Sequence, residues 1–139
     1  MSDILHYTLT DFITSYGVRI PSLRLYYQCF GLPLGEAPVV VVNHAFTGNS
    51  QVTGENGWWK EAIGEGKLID TLKYTVVAFN IPGNGFGARE EDMIPNYEHW
   101  AGIDIARIFN QALTEHLSLK EVFALVGCSL GGGIAWEMA

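Results

Sequence analysis

The chain has 139 residues, 48% hydrophobic and 12% aromatic, enough to bury a core and too apolar for a disordered segment. Eight basic against fifteen acidic residues leave a net charge of −7, and no Lys/Arg cluster is present to neutralise phosphates, which argues against a nucleic-acid surface. No apolar run approaches a membrane span, the opening Met1-Ser2-Asp3-Ile4-Leu5-His6 lacks a secretory pattern, and two cysteines, Cys29 and Cys128, make no disulfide framework; a cytoplasmic setting is the simplest expectation.

In chain order, Ile4–Leu9 and Ser22–Phe30 are rich in β-formers and predict antiparallel leading strands, followed by a turn over Gly31–Gly35. Pro38–Asn43 holds four consecutive valines. Such a run predicts a central parallel strand covered on both faces, with helices on each side. His44-Ala45-Phe46-Thr47-Gly48-Asn49-Ser50 follows at its carboxyl end, where open α/β sheets bind ligands. His44 reads as a loop residue whose ring fixes the loop by hydrogen bonds, ahead of any part in proton transfer. Gly57–Ile63 predicts a short helix, its adjacent Trp58 and Trp59 reading as packing rather than binding. Leu68–Thr71 leads into a second buried strand, Lys73–Asn80. The glycines of Ile81–Gly87 resemble a phosphate cradle only superficially, because no Lys-Ser/Thr pair follows and no helix starts there.

From Tyr97 to Leu117 the apolar residues Trp100, Ile103, Ala106, Phe109, Leu113 and Leu117 recur at three and four, which predicts one amphipathic helix. His99 and His116 read as surface residues. Val122–Val126 predicts a buried strand, and Ile134–Met138 the first turns of a helix.

Between them lies Gly127-Cys128-Ser129-Leu130-Gly131. Strand, Gly-x-Ser-x-Gly, helix is the context of a nucleophile elbow, in which a sharp turn lifts a serine hydroxyl above the sheet edge. The competing reading is a tight strand–helix turn whose glycines only allow close packing, as in a dinucleotide fold. The element order favours the elbow, because it matches the first half of an α/β-hydrolase sheet with antiparallel leading strands. In such a fold the Phe46 N–H from the 44–50 loop and the Leu130 N–H after the nucleophile are the expected oxyanion donors for Ser129. The triad order of that fold is Ser, then Asp or Glu, then His. Here every histidine (His6, His44, His99, His116) precedes Ser129, and Glu137 is the one acid after it. No base is therefore assigned. Residues 1–139 are expected to form an incomplete α/β-hydrolase domain, its elbow strand paired with the 39–42 strand and bare on the other edge. Either a second copy or the missing C-terminal half is expected to cover that edge.

His44-Ala45-Phe46-Thr47-Gly48 resembles the His-Ala-Leu-Thr-Gly loop of homoserine O-acetyltransferases. Gly57-Trp58-Trp59 resembles that family's Gly-Trp-Trp, and Gly127-Cys128-Ser129-Leu130-Gly131-Gly132 its Gly-Gly-Ser-Met-Gly-Gly elbow. Gly66-Lys67, Ile69-Asp70-Thr71, Tyr74, Asn80 and Ala135-Trp136-Glu137 look like further blocks of it. Two stretches depart: Pro82-Gly83-Asn84-Gly85-Phe86-Gly87 is closer to a general α/β-hydrolase loop, and Gly102-Ile103-Asp104 stands where Ile-Arg-Asp is expected. The resemblance implies acetyl transfer from acetyl-CoA, as co-substrate, to the homoserine hydroxyl through an acyl-Ser129 intermediate, a step of methionine biosynthesis. It implies small-molecule substrates, and no metal or resident cofactor. The alternatives are a serine esterase of the same fold, with water as acceptor, and a non-catalytic α/β module that binds a ligand.

Overall fold

The computed structural model describes residues 2–87 and 89–139. Among the described residues there are seven strands: β1 (Leu5–Ile13), β2 (Arg19–Gly31), β3 (Val39–Asn43), β4 (Ile63–Gly64), β5 (Ile69–Asp70), β6 (Thr75–Phe79) and β7 (Ala124–Gly127). The α-helices are α1 (Gly102–Gln111), which widens into a π-helical turn over Ala112–His116, and α2 (Leu130–Met138). Five strands form the main sheet in the order β1-β2-β6-β3-β7. β1–β2 and β2–β6 are antiparallel; β6–β3 and β3–β7 are parallel, as the leading strands and valine run predict.

All five residues of β3 and all five of β6 are buried. The alternation of the strands sends their side chains into two cores. Val41, Val77 and Phe79 meet Ile108, Phe109 and Ile134 of α1 and α2 on one face. Val40, Val42, Val76 and Ala78 meet Val52 and Ile63 on the other. Both helices thus lie on the same side. The second face is closed by turns rather than by the helix expected there.

That helix, predicted over Gly57–Ile63, is replaced by turns running into β4. The Trp58 and Trp59 amides donate to the carbonyls of Gln51 (3.1 Å) and Val52 (3.0 Å) across the loop, so they are not free for helical bonds. Gly57 makes that crossing fit, since a Cβ there would lie 2.3 Å from Thr53 Cα. The two indoles stack on each other with centroids 5.0 Å apart.

The long helix over Tyr97–Leu117 also divides. Tyr97–His99 is a 3-10 turn, Trp100 is extended, and α1 starts at Gly102. Asp104 decides that start. Its fully buried carboxylate accepts the Ala101 N–H (2.9 Å), the Ser15 N–H (2.6 Å) and the Ser15 hydroxyl (2.8 Å), pinning the β1–β2 turn to the first turn of α1. Asp104→Ala would orphan these three donors. A loss of about 3 kcal/mol in folding stability is expected, read from urea midpoints of the protein carrying this chain.

β7 pairs with β3 in the register Val40↔Ala124 to Asn43↔Gly127, the partner the sequence predicts. It is half-buried, not buried as expected, because among the described residues it is the last strand of the sheet. Phe123, at its start, is 64% exposed and stacks on Tyr74. The helix expected from Ile134 begins four residues earlier, at Leu130, directly after the serine.

Candidate active site

The site stands at the carboxyl ends of β3 and β7, which register side by side through Asn43 and Gly127. Two residues beyond Gly127 the chain reverses into α2. Ser129 carries the whole reversal, with φ 51° and ψ −123°. A β-carbon-bearing residue holds such a conformation only where its surroundings impose it, at a cost of about 1–3 kcal/mol. The surroundings here are two glycine contacts. A Cβ on Gly127 would lie 2.3 Å from the Gly131 carbonyl oxygen, and one on Gly131 would lie 2.4 and 2.5 Å from the carbonyl oxygens of Asn43 and His44. The glycines therefore serve close approach, while the positive φ falls on the serine itself.

The consequence is exposure. Ser129 is solvent-accessible, and its hydroxyl has no hydrogen-bond partner among the described residues. Its carbonyl accepts the Gly132 (3.0 Å) and Gly133 (3.2 Å) amides, so helix bonding begins at once. Leu130 occupies the first helical position, whose amide has no partner within the helix. Such amides at a helix N-terminus favour negative charge.

Gly131 is pressed on Asn43 and His44, so the elbow abuts the loop that follows β3. That loop opens with a turn closed by Gly48 N–H to Ala45 O at 2.8 Å. Phe46 is the second residue of the turn. Its amide takes no part in closing it, and its ring is 80% exposed. The residues expected to hold an oxyanion, Phe46 and Leu130, thus stand on adjoining elements at the same end of the sheet as Ser129.

His44 is 1% exposed. Its Nε2 accepts the Ile81 N–H at 3.0 Å, which requires a lone pair there, so Nδ1 carries the proton and donates to Ala45 O at 2.6 Å. Both nitrogens are engaged, as the loop-fixing reading of this residue requires, and neither is offered to Ser129. Burial pushes the imidazole pKa below its ordinary 6.5, against the raising effect of the Ala45 bond. As pH falls through 6.5 the unfolded chain takes up a proton that the folded one refuses, so stability held at neutral pH declines. His44→Gln is expected to remove the decline contributed by this group, read in urea titrations between pH 7.5 and 5.5.

A polar network that the sequence did not single out holds the rest of the loop. Asn80 Oδ1 accepts the Ser50 N–H (2.9 Å) and an Asn84 amide proton (3.0 Å), while its own amide donates to Ser50 Oγ (2.8 Å). Ser50 Oγ donates to Gln28 Oε1 at 2.6 Å. An asparagine ending an apolar strand, and another between two glycines, were the available clues. His99 is exposed, as expected. His116 is exposed too but anchored, bonded to the Tyr27 hydroxyl at 2.9 Å and stacked on Tyr7. A cavity of about 790 Å³ is lined by Cys29, Phe30, Leu32, Gln51, Thr53 and Thr71, and Ser129 is not in its wall.

Residues 38–139 match the model of the alpha/beta hydrolase fold family. The chain belongs to the α/β-hydrolase fold family. Among curated α/β-hydrolase relatives, a homoserine O-acetyltransferase from Geotalea uraniireducens is 32% identical over 94% of this chain and 40% of its own length. Among solved structures, the homoserine O-acetyltransferase from Staphylococcus aureus superposes with a TM-score of 0.82 at 30% identity, over 99% of this chain and 42% of that one. The acetyl esterase MekB shares the fold, with a TM-score of 0.77 at 20% identity over 100% of this chain and 40% of that one. The chain spans about two fifths of the length of the curated relatives it matches. No helix among the described residues is long and apolar enough to cross a membrane, and both cysteines are free.

Proposed function

We propose that this α/β-hydrolase chain supplies the nucleophile and the oxyanion donors of an acyltransferase that moves an acetyl group from acetyl-CoA to the hydroxyl of homoserine, in the cytoplasmic synthesis of methionine. The observation that carries the reading is Ser129, exposed on a strained corner at the head of α2, in a chain about 30% identical to homoserine O-acetyltransferases. Ser129 Oγ attacks the thioester carbonyl carbon. The C–S bond breaks, CoA leaves as the thiol with the serine proton, and the acetyl group stays on oxygen. The homoserine hydroxyl then attacks the acyl-serine, and the serine recovers a proton. In each step negative charge gathers on the carbonyl oxygen, between the Phe46 and Leu130 amides. Fixed donors of this kind lower the barrier by about 3–4 kcal/mol each. General base and orienting carboxylate are not assigned to residues of this chain.

The second reading, an esterase with water as acceptor, is favoured by the loop Pro82–Gly87, which departs from the homoserine O-acetyltransferase pattern. Acetyl-CoA offered with and without homoserine to the protein carrying this chain separates the two. Release of free CoA only when homoserine is present, with O-acetylhomoserine formed in equal amount, supports acyl transfer. Equal CoA release without homoserine supports hydrolysis. No release, together with no fluorophosphonate labelling of Ser129, leaves a binding module.

A further inference from the structure

The cavity of about 790 Å³ stands apart from the candidate active site: neither the 44–50 loop nor the 127–131 corner contributes to its wall. Its volume is that of a small-molecule site. Leu5, Phe30, Leu32 and Leu34 give it an apolar lining, and Gln51, Thr53, Glu55 and Glu65 add polar and acidic groups. No Lys or Arg lines it, and among the described residues neither Glu55 nor Glu65 makes an ion pair. The nearby cations are otherwise placed. Lys60 donates to the Glu55 main-chain carbonyl at 2.9 Å, and the stem of Lys67 lies against Gly64, 3.2 Å from where a Cβ would stand.

Two polar residues of the wall converge on one fully buried side chain, Gln28. Its amide nitrogen donates to Ser2 O at 3.0 Å and to Gln51 Oε1 at 3.2 Å. Its Oε1 accepts the Ser50 hydroxyl at 2.6 Å, and Ser50 closes the 44–50 loop with its own N–H on Asn80 Oδ1. Gln51 is braced from its other end, where Nε2 donates to Thr53 O at 2.8 Å. One end of the Gln28 amide thus holds the cavity wall and the other holds the loop. We propose that this cavity binds a primary ammonium group carried on an apolar chain, and that Gln28 passes its occupancy to the 44–50 loop. The ammonium meets two carboxylates that lack an ion-pair partner, while the chain covers Phe30, Leu32 and Leu34. An anion of the same shape meets like charge. A ligand that orders Gln51 also orders the bond from Gln28 to Ser50, and by linkage an ordered loop binds the ligand more tightly. The inference makes no use of the chemistry at Ser129.

Hexylammonium is the probe, with hexanol and hexanoate as its neutral and anionic counterparts. Titrated calorimetrically into the protein carrying this chain, hexylammonium is expected to bind saturably at one site, about five-fold more tightly than hexanol, with hexanoate the weakest of the three. Glu55 and Glu65 are both exposed, so Glu55→Gln with Glu65→Gln leaves the fold intact. That double variant should bring hexylammonium down to the affinity of hexanol and leave hexanol unchanged. Hydrogen exchange of residues 44–50 reads the coupling: saturating hexylammonium should slow it about five-fold. Gln28→Met keeps the volume and removes all three bonds, so it should keep the affinity and lose the slowing. Should Gln28→Met fail to fold, exchange in the wild type and in the double variant at one hexylammonium concentration carries the test, with slowing expected in the wild type alone. Equal binding of hexylammonium and hexanol, or wild-type affinity in the double variant, would overturn the site. Unchanged exchange in the saturated wild type would overturn the coupling.

Discussion

Replacing Ser129 by alanine is expected to lower kcat for acyl transfer by about 10⁴- to 10⁶-fold in the protein carrying this chain, with KM for acetyl-CoA little changed. The size follows from what disappears. Without Oγ no acyl-enzyme forms, and the thioester must be attacked directly by the acceptor. Binding and the two main-chain donors remain, so a residual rate above the uncatalysed one should persist. The substitution leaves the fold alone, since the hydroxyl has no partner among the described residues and alanine keeps the same Cβ. Mass spectrometry after mixing with acetyl-CoA should show an acetyl adduct on wild-type Ser129 and none in the variant. A variant that keeps wild-type turnover would remove the nucleophile from the mechanism. Ser129→Gly adds a second readout. It should lose activity equally yet gain about 1 kcal/mol in stability over Ser129→Ala, because glycine holds φ 51° without the penalty a Cβ brings.

The largest effect on folding is expected at Gly131. Its added Cβ would meet the carbonyl oxygens of Asn43 and His44 at 2.4 and 2.5 Å, and both are main-chain atoms of the central strand and its loop. No side-chain rotation relieves that clash. Either α2 moves off the sheet or the end of β3 bends away, and both open the core shared by Ile134, Met138 and Val41. Gly131→Ala should therefore lose more than about 4 kcal/mol, at the far end of what single substitutions do. Gly127→Ala should behave alike, with its Cβ 2.3 Å from the Gly131 oxygen. Gly133 is the internal control. Nothing lies within 4 Å of a Cβ there, and it sits inside α2, so Gly133→Ala should stabilise by about 0.5–1 kcal/mol. Urea unfolding followed by circular dichroism gives all three. A Gly131→Ala protein with a wild-type midpoint would mean that the elbow is not clamped to the loop.

Together these substitutions separate the two roles of one corner. Ser129 is costly to the fold and is the residue to which the chemistry is proposed to belong; Gly127 and Gly131 are needed by the fold so that the corner can exist. Stability lost at a reactive residue and supplied by its neighbours is the usual relation between a strained site and its scaffold.

Local pattern alone determined the antiparallel leading strands, the two buried strands 39–43 and 75–79, and the strand–serine–helix corner. These features follow from side-chain periodicity and from glycine spacing, which are written in consecutive residues. Tertiary structure decided the rest. The Trp58 and Trp59 amides bond across to Gln51 and Val52, so no helix forms there. The buried Asp104 carboxylate is shared with Ser15, 89 residues away, and sets where α1 starts. Ile81, 37 residues from His44, fixes the ring that anchors the Ala45–Gly48 turn. Each of these outcomes depends on a hydrogen bond between groups distant in the chain. Such bonds form only after the sheet has brought their ends together, so no window of sequence contains both partners.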